Sequence, residues 1–326
     1  MTSWREAVAH RLWVRFGIVL GILVVYPFPV SMLPKFSLID KLANQPFTWL
    51  NHWVGEGVLG LAPMPDSFNG SGDRIYDYIS VLVLVTLAIL GAAIWTAVDR
   101  RADHPRLVAG LRIVLRYYLA GVMLSYGFSK ILRSQYSDLA IARYSEELGG
   151  MSPMRLLWTF MDYSKPYTIF GGLAEAIGGV LLLWRRTATL GALIVAAVMT
   201  NVLMLNLCYD VPVKLFSAQC LIIAIALAAP RLRAVVAAAM GYATAEVPPR
   251  PRMSSRWELA RWAARLTMVA LLGWGLFAEL GGGSGGAVAD HELLGGWAVD
   301  TMAIDGVERP ALLGDAERWK TIAAAD

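Results

Sequence analysis

MTNVLMLNLCYDVPVKLFS, residues 199–217, begins inside a long apolar run and yet carries Asn201, Asn206, Asp210 and Lys214. Read as one helix, it would put two amides, a carboxylate and an ammonium into hydrocarbon. Pro212 argues against that: proline lacks the amide hydrogen a helix interior needs, and it pushes Val211 before it toward extended backbone. Y-D-V-P-V-K therefore reads as a tight outer turn joining two apolar spans. Asp210 and Lys214 are expected to pair across that turn, at little cost near the membrane surface. Asn206 lies about one helical turn deeper. Asn201 is deeper still, on the far side of an ideal helix.

Outward from this turn, seven candidate spans can be read: 13–33, 75–98, 107–132, 167–184, 187–208, 212–230 and 259–280. Each is near the roughly 20 residues that about 30 Å of hydrocarbon requires. Composition agrees, with 57% hydrophobic and 17% charged residues over 326 positions and a mean hydropathy of +0.52. A soluble domain carries about 25% charged residues. The fold class expected is an all-α integral membrane protein of about seven transmembrane helices, with a short β-rich C-terminal segment. The net charge of +4 does not point to nucleic acid, because the arginines flank apolar spans.

Those arginines set an orientation. Arg5, Arg11 and Arg15 precede the first span, and Arg100, Arg101 and Arg106 separate the second from the third. Arg185 and Arg186 join the fourth and fifth, and Arg231, Arg233, Arg250, Arg252 and Arg256 follow the sixth. Alternate crossings put all four groups on one side. The positive-inside rule makes that side cytoplasmic, with the N-terminus inside and the C-terminus outside. The first span ends in YPFPVSMLPK without an A-x-A-like cleavage site, so it is read as an uncleaved anchor that Pro27 and Pro29 kink or end.

Two outer loops are long. Residues 34–74 contain PFTWLNHWVGEGVLGL, whose Trp49 and Trp53 suggest a helix lying in the interface, with His52 an interfacial polar residue; the loop closes in NGSGD. Residues 133–166 contain SPMRLLWTFMDYS, which suggests another re-entrant or surface helix. GGGSGG at 281–286 reads as a linker, and LLGGWAVDTMAIDGVERPALL beyond it alternates like a β-hairpin about Asp305-Gly306. Such a short β segment needs either the membrane domain or a larger domain to pack on. Cys208 and Cys220 form no C-x-x-C and the four histidines are scattered, so no disulfide framework, zinc site or paired-histidine haem site is indicated. The cysteines are read as ordinary small buried residues.

Within the spans, the costly residue is Glu175, near the middle of YTIFGGLAEAIGGVLLLW. An ionised side chain there costs about 2.5–3.5 kcal/mol on insertion scales, and a glutamate is too short to snorkel. It must be protonated, paired or set against a wet cavity. Gly171, Gly172, Ala174, Ala176, Gly178 and Gly179 around it form a small-residue surface for close helix approach. In span three, Arg112 and Arg116 share one helix face near the inner half, and Tyr126 and Lys130 share another near the outer end. For Lys130, snorkelling to the outer headgroups is the competing reading.

The motifs R-Y-Y-L-A-G-V-M-L-S-Y-G-F-S-K (116–130) with Gln135, G-G-L-A-E-A-I-G-G-V-L-L-L (171–183) and N-V-L-M-L-N-x-C-Y-D-V-P-V-K-L (201–215) together resemble the DoxX family of bacterial membrane proteins. The resemblance covers about 107–230 and implies a four-helix membrane core there. Around it lie a two-span region at 1–106, a cytoplasmic loop at 231–258, the seventh span and the outer segment 281–326. In long members a segment like the last opens a larger β-rich domain. The resemblance also implies a multi-pass protein of the bacterial inner membrane, and relatives include subunits of quinone-linked oxidoreductases.

No haem, flavin or iron–sulfur motif accompanies these residues, so no cofactor is evident and a quinone is the candidate. Glu175 would be its proton-exchanging group, with Lys130 and Tyr126 beside it and Asn201, Asn206 and Arg116 as ligand contacts. The partners implied are the lipid bilayer and a membrane or extracytoplasmic redox protein. Two other readings stay open: a carrier for a small solute or proton, and a membrane scaffold or assembly factor.

Overall fold

A computed structural model of the chain describes residues 4–28, 37–65, 72–101, 103–136, 146, 148–242, scattered positions from 259 to 270, 295–310, 318–319 and 321–324. The protein is a multi-helix bundle. Its helices are α1 (Trp4–Val25), α2 (Ser37–His52), α3 (Ile75–Val98), α4 (Pro105–Ile131), α5 (Pro153–Tyr163), α6 (Lys165–Leu182), α7 (Ala188–Cys208) and α8 (Lys214–Ala239). Among the described residues, five stretches are long and apolar enough to cross a membrane: Val8–Val25 within α1, and α3, α4, α7 and α8. α6 has the length, at 18 residues, but Lys165, Glu175 and four glycines lower its hydropathy. The expected seventh span falls largely outside the described residues; those described between 259 and 270 are helical.

Helix boundaries follow local chemistry. α1 starts nine residues earlier than its apolar run suggests and stops at Val25, where Tyr26–Pro27 is a cis peptide; Pro29 lies outside the described residues. At the start of α3, the Asp77 carboxylate accepts the Arg74 backbone N–H at 2.9 Å, half of a reciprocal cap. At its end, Arg15 of α1 is fully buried and donates to the carbonyls of Trp95, Asp99 and Arg101 at 3.2, 2.8 and 2.8 Å. Its guanidinium also lies 5.3 Å from the Trp95 ring centroid. A cation there satisfies the open carbonyls and meets the negative end of the helix dipole. Arg15, read from the sequence as a charge flanking the first span, is thus a helix clamp.

α4, α6, α7 and α8 pack in sequence around a core that includes Leu119, Met123, Leu182, Val195, Cys220 and Ala224. Glycine makes the tightest crossing possible. A Cβ on Gly127 would sit 2.7 Å from the Gly172 carbonyl oxygen, and one on Gly172 would sit 2.5 Å from that of Gly127. The small-residue surface expected around Glu175 is therefore divided between partners: Gly172, Ala176 and Gly179 face α4, and Gly178 faces Val195 of α7. Gly171, by contrast, has open space where its Cβ would be.

The turn between α7 and α8 has the expected form. α7 ends at Cys208, Asp210 takes a φ of +51°, and α8 begins at Lys214. Lys214 Nζ lies 2.7 Å from Asp210 Oδ1. The N-terminus of α8 is capped from elsewhere: the Asp73 carboxylate accepts the N–H groups of Lys214 and Leu215 at 2.6 and 2.9 Å. α8 then runs through Pro230 to Ala239, so Arg231 and Arg233 lie on the helix and not in the loop expected from 231 onward. Of the two cysteines, Cys220 is fully buried, but Cys208 is exposed, which corrects the reading of both as buried; both thiols are free.

Both long loops contain helices where expected. α2 leads into a π-helical turn, Trp53–Val58, and the exposed Trp49 and Trp53 rings stack at 6.4 Å. Glu56 locks that turn, accepting the Met64 N–H at 2.8 Å and meeting His52 at 2.7 Å; these contacts, the backbone bond first, hold its carboxyl below the usual range. α5 is capped by Ser152, whose side chain accepts the Arg155 N–H. In the C-terminal segment, Ala303–Ile304 and Val307–Glu308 (β2, β3) pair antiparallel about Asp305-Gly306, with φ values of +51° and +79°. These are the angles of the type I′ turn that Asp-Gly favours. Gly295–Ala298 (β1) pairs antiparallel with Thr321–Ala324 (β4).

Candidate functional site

The close approach of α4 and α6 builds the site. The two helices run antiparallel, so Lys130 lies beside Gly172 and Glu175 on the Gly127 side of the contact, and the long Lys130 side chain reaches back across the glycine crossing to the carboxylate. Lys130 Nζ donates to both Glu175 oxygens, at 2.7 and 2.8 Å. Lys130 is 7% exposed and Glu175 only 2%. Of the three fates open to Glu175 in hydrocarbon, this one is pairing. Lys130 accordingly bends inward and does not snorkel.

Against this pair lies a cavity of about 390 Å³. α6 and α7 are held together at one end by Gly178 on Val195 and Gly191 on Leu181 and Leu182. Toward the other end they line the cavity, with Gly171 and Ala174 on one side and Ala197, Val198 and Asn201 on the other. Met123 forms part of the α4 wall, and Leu157, Trp158 and Met161 of α5 contribute another. α5 is itself fixed by an ion pair from Arg133 to the buried Asp162 and by the Thr168 hydroxyl donating to the Met161 carbonyl.

Five of the six residues expected at a ligand site line this cavity: Tyr126, Lys130, Glu175, Asn201 and Asn206. The sixth, Arg116, does not. It lies 14 residues before Lys130 on α4, about 21 Å along the helix, and is buried with its guanidinium 4.9 Å from the Tyr117 ring centroid. The lining residues are not equivalent. Asn206 is buried and commits its amide to the turn, donating to Ser217 Oγ at 3.0 Å and the Val213 carbonyl at 3.4 Å. Tyr126 holds its ring 5.8 Å from the Lys130 ammonium. The Asn201 side chain makes no hydrogen bond among the described residues, and neither does the buried side-chain oxygen of Gln135.

Sequence reasoning missed the α5 wall and Tyr136, whose phenol is pushed above its usual range by burial first and by the Glu175 carboxylate second. It therefore stays a neutral hydroxyl at physiological pH. The apolar face of SPMRLLWTFMDYS was the signal for α5, but nothing local says what that face covers. Chemically, the site is an apolar chamber with one charged wall. An ammonium has three N–H donors, and the Glu175 oxygens engage two, leaving one for a ligand oxygen.

Comparison with known proteins adds little by name. No family model matches the chain, and no solved structure matches it. Among curated proteins it is similar to "Uncharacterized protein YwoB" of Bacillus subtilis (strain 168), at 34% identity over 99 residues, 30% of this chain and 62% of that relative. The chain thus spans less than two thirds of the relative it matches.

Proposed function

We propose that this chain is a DoxX-like, multi-pass protein of the bacterial inner membrane that binds a quinone in the cavity beside Lys130 and Glu175, as the membrane subunit of a redox complex. The observation that carries this reading is the buried ion pair forming one wall of an otherwise apolar chamber. A quinone offers what such a chamber selects: a flat apolar ring with carbonyl oxygens that need a donor. Lys130 supplies a charged N–H to one carbonyl; when a redox partner delivers electrons to the ring, the ammonium can give that oxygen a proton and the Glu175 carboxylate can take up its replacement. Asn201 and Tyr126 are further polar contacts at the ring's edge. Helix alternation and the arginine distribution support an N-terminus inside, which puts the cavity in the outer half of the membrane beside extracytoplasmic redox partners.

A carrier is less well supported, because glycine contacts close α6 on α7 at the inner end. The direct test is titration of the purified protein in nanodiscs with ubiquinone and menaquinone. Saturable binding is expected, and Glu175→Gln should abolish it. Failure of the wild-type protein to bind either quinone would overturn the proposal.

A further inference from the structure

The cavity's walls differ in what stands behind them. Toward α4 and α5 they are backed by the packed protein, with Met123 2% and Leu157 6% exposed. Between α6 and α7 they are not: Phe170, which lines the cavity, is 66% exposed, Tyr167 is 45% exposed, and Asn201 is exposed as well. Small side chains leave the gap open, since Gly171, Ala174 and Ala197 line it and a Cβ on Gly171 would meet nothing. On helices that lie in a bilayer, such a gap faces acyl chains.

Asn201 stands at this gap. An amide with no partner, placed on a membrane helix, is costly, since burying it without a hydrogen bond costs about 1–3 kcal/mol. Its neighbours on α7 show how the chain otherwise treats polar side chains: Thr200 donates to the Ala196 carbonyl at 2.8 Å, and Asn206 is held by Ser217 and Val213. Asn201 alone of these three is left with its amide unused among the described residues.

We infer that the cavity is loaded sideways from the bilayer, through the gap between α6 and α7, and that Asn201 anchors a carbonyl oxygen of a lipid-phase ligand whose apolar tail remains in the gap. The inference rests on the cavity being a ligand site, as proposed above, but not on the ligand being a quinone. It gives a reason for small residues on the gap's rim and an amide beside them. A water-soluble ligand would have no use for either.

The test uses two photoactivatable probes in nanodiscs: a phospholipid with a diazirine near its acyl terminus, and a long-chain methyl ketone with a diazirine beside the carbonyl. Residue-level mass spectrometry then reads labelling at Met123 and Leu157, with lipid-facing Ile177 as reference. In the wild type, both probes label Met123 and Leu157. Gly171→Phe should lower that labelling at least about fivefold while Ile177 is unchanged, and Gly171→Ala should leave it as in the wild type. Asn201→Leu should lower ketone labelling about five- to tenfold, the value of one hydrogen bond in an apolar site, and leave phospholipid labelling intact.

An unlabelled Met123 and Leu157 in the wild type would overturn lateral loading, as would labelling that ignores Gly171→Phe. Equal ketone labelling with and without the Asn201 amide would overturn the anchor. Neither probe is a quinone, so a protein that takes both probes but no quinone refutes the quinone reading and leaves this one standing.

Discussion

At the scale of the residue, the Lys130–Glu175 pair concentrates most of the electrostatic risk. Two buried charges within 2.8 Å satisfy each other, but removing one leaves the other stranded in an apolar wall. Glu175→Gln is therefore expected to destabilise the protein by about 3–5 kcal/mol, seen as a lower melting temperature in mild detergent. The double variant Lys130→Met/Glu175→Leu should recover most of that loss, because a volume-matched apolar pair costs little there. A double variant as unstable as Glu175→Gln would show that the pair does more than neutralise itself. The cost of Glu175 could be read from the sequence, since depth in an apolar run is a local property. Its partner could not, because the contact depends on two glycines 45 residues apart meeting across helices. The same holds for Arg15, whose side chain reaches carbonyls over 80 residues away.

At the scale of the element, glycines that look alike in GGLAEAIGG have opposite tolerances. Gly172→Val would drive a Cβ to 2.5 Å from the Gly127 carbonyl oxygen, and backbone cannot yield as a flexible side chain can. Loss of the monodisperse folded peak in gel filtration is expected for Gly172→Val, and an unchanged peak for Gly171→Ala. If both variants behave alike, the assignment of faces on α6 is wrong. The N-terminus of α8 offers a second case. Asp73→Ala leaves the Lys214 and Leu215 N–H groups without their acceptor and should cost about 0.5–2 kcal/mol in thermal unfolding. Sequence periodicity shows that α6 and α8 exist and where they turn, as the proline at 212 does for Y-D-V-P-V-K. Which face meets which neighbour, and that a loop aspartate caps a helix 141 residues on, are tertiary facts with no local signature.

At the scale of the whole molecule, the two ends of the bundle are chemically distinct. The start of α1 meets the 99–103 segment at one end, through Arg15 and through His10 and Asp103 at 3.4 Å. Asp73 and the α7–α8 turn meet at the other. With Cys208 and Cys220 replaced by serine and alanine, Asp210→Cys should react with a membrane-impermeant maleimide in intact cells, and Arg185→Cys should react only after lysis. The reverse pattern would invert the orientation and put the cavity in the inner half of the membrane. The multi-span helical class was readable because hydrocarbon thickness imposes a length that composition reveals directly. The chamber was not, since it arises from the splay of α6 from α7 and from the wall that α5 adds to it.

Native mass spectrometry of protein released gently from its own membranes reads out whether the chamber beside Lys130 and Glu175 holds a quinone. A single non-covalent adduct with the mass of a membrane quinone is expected on the wild-type protein, and Asn201→Leu should lower its occupancy about five- to tenfold while the protein stays folded. A wild-type protein that carries only phospholipid adducts would show that the chamber holds no quinone, and a quinone adduct undiminished in Asn201→Leu would show that Asn201 does not anchor it.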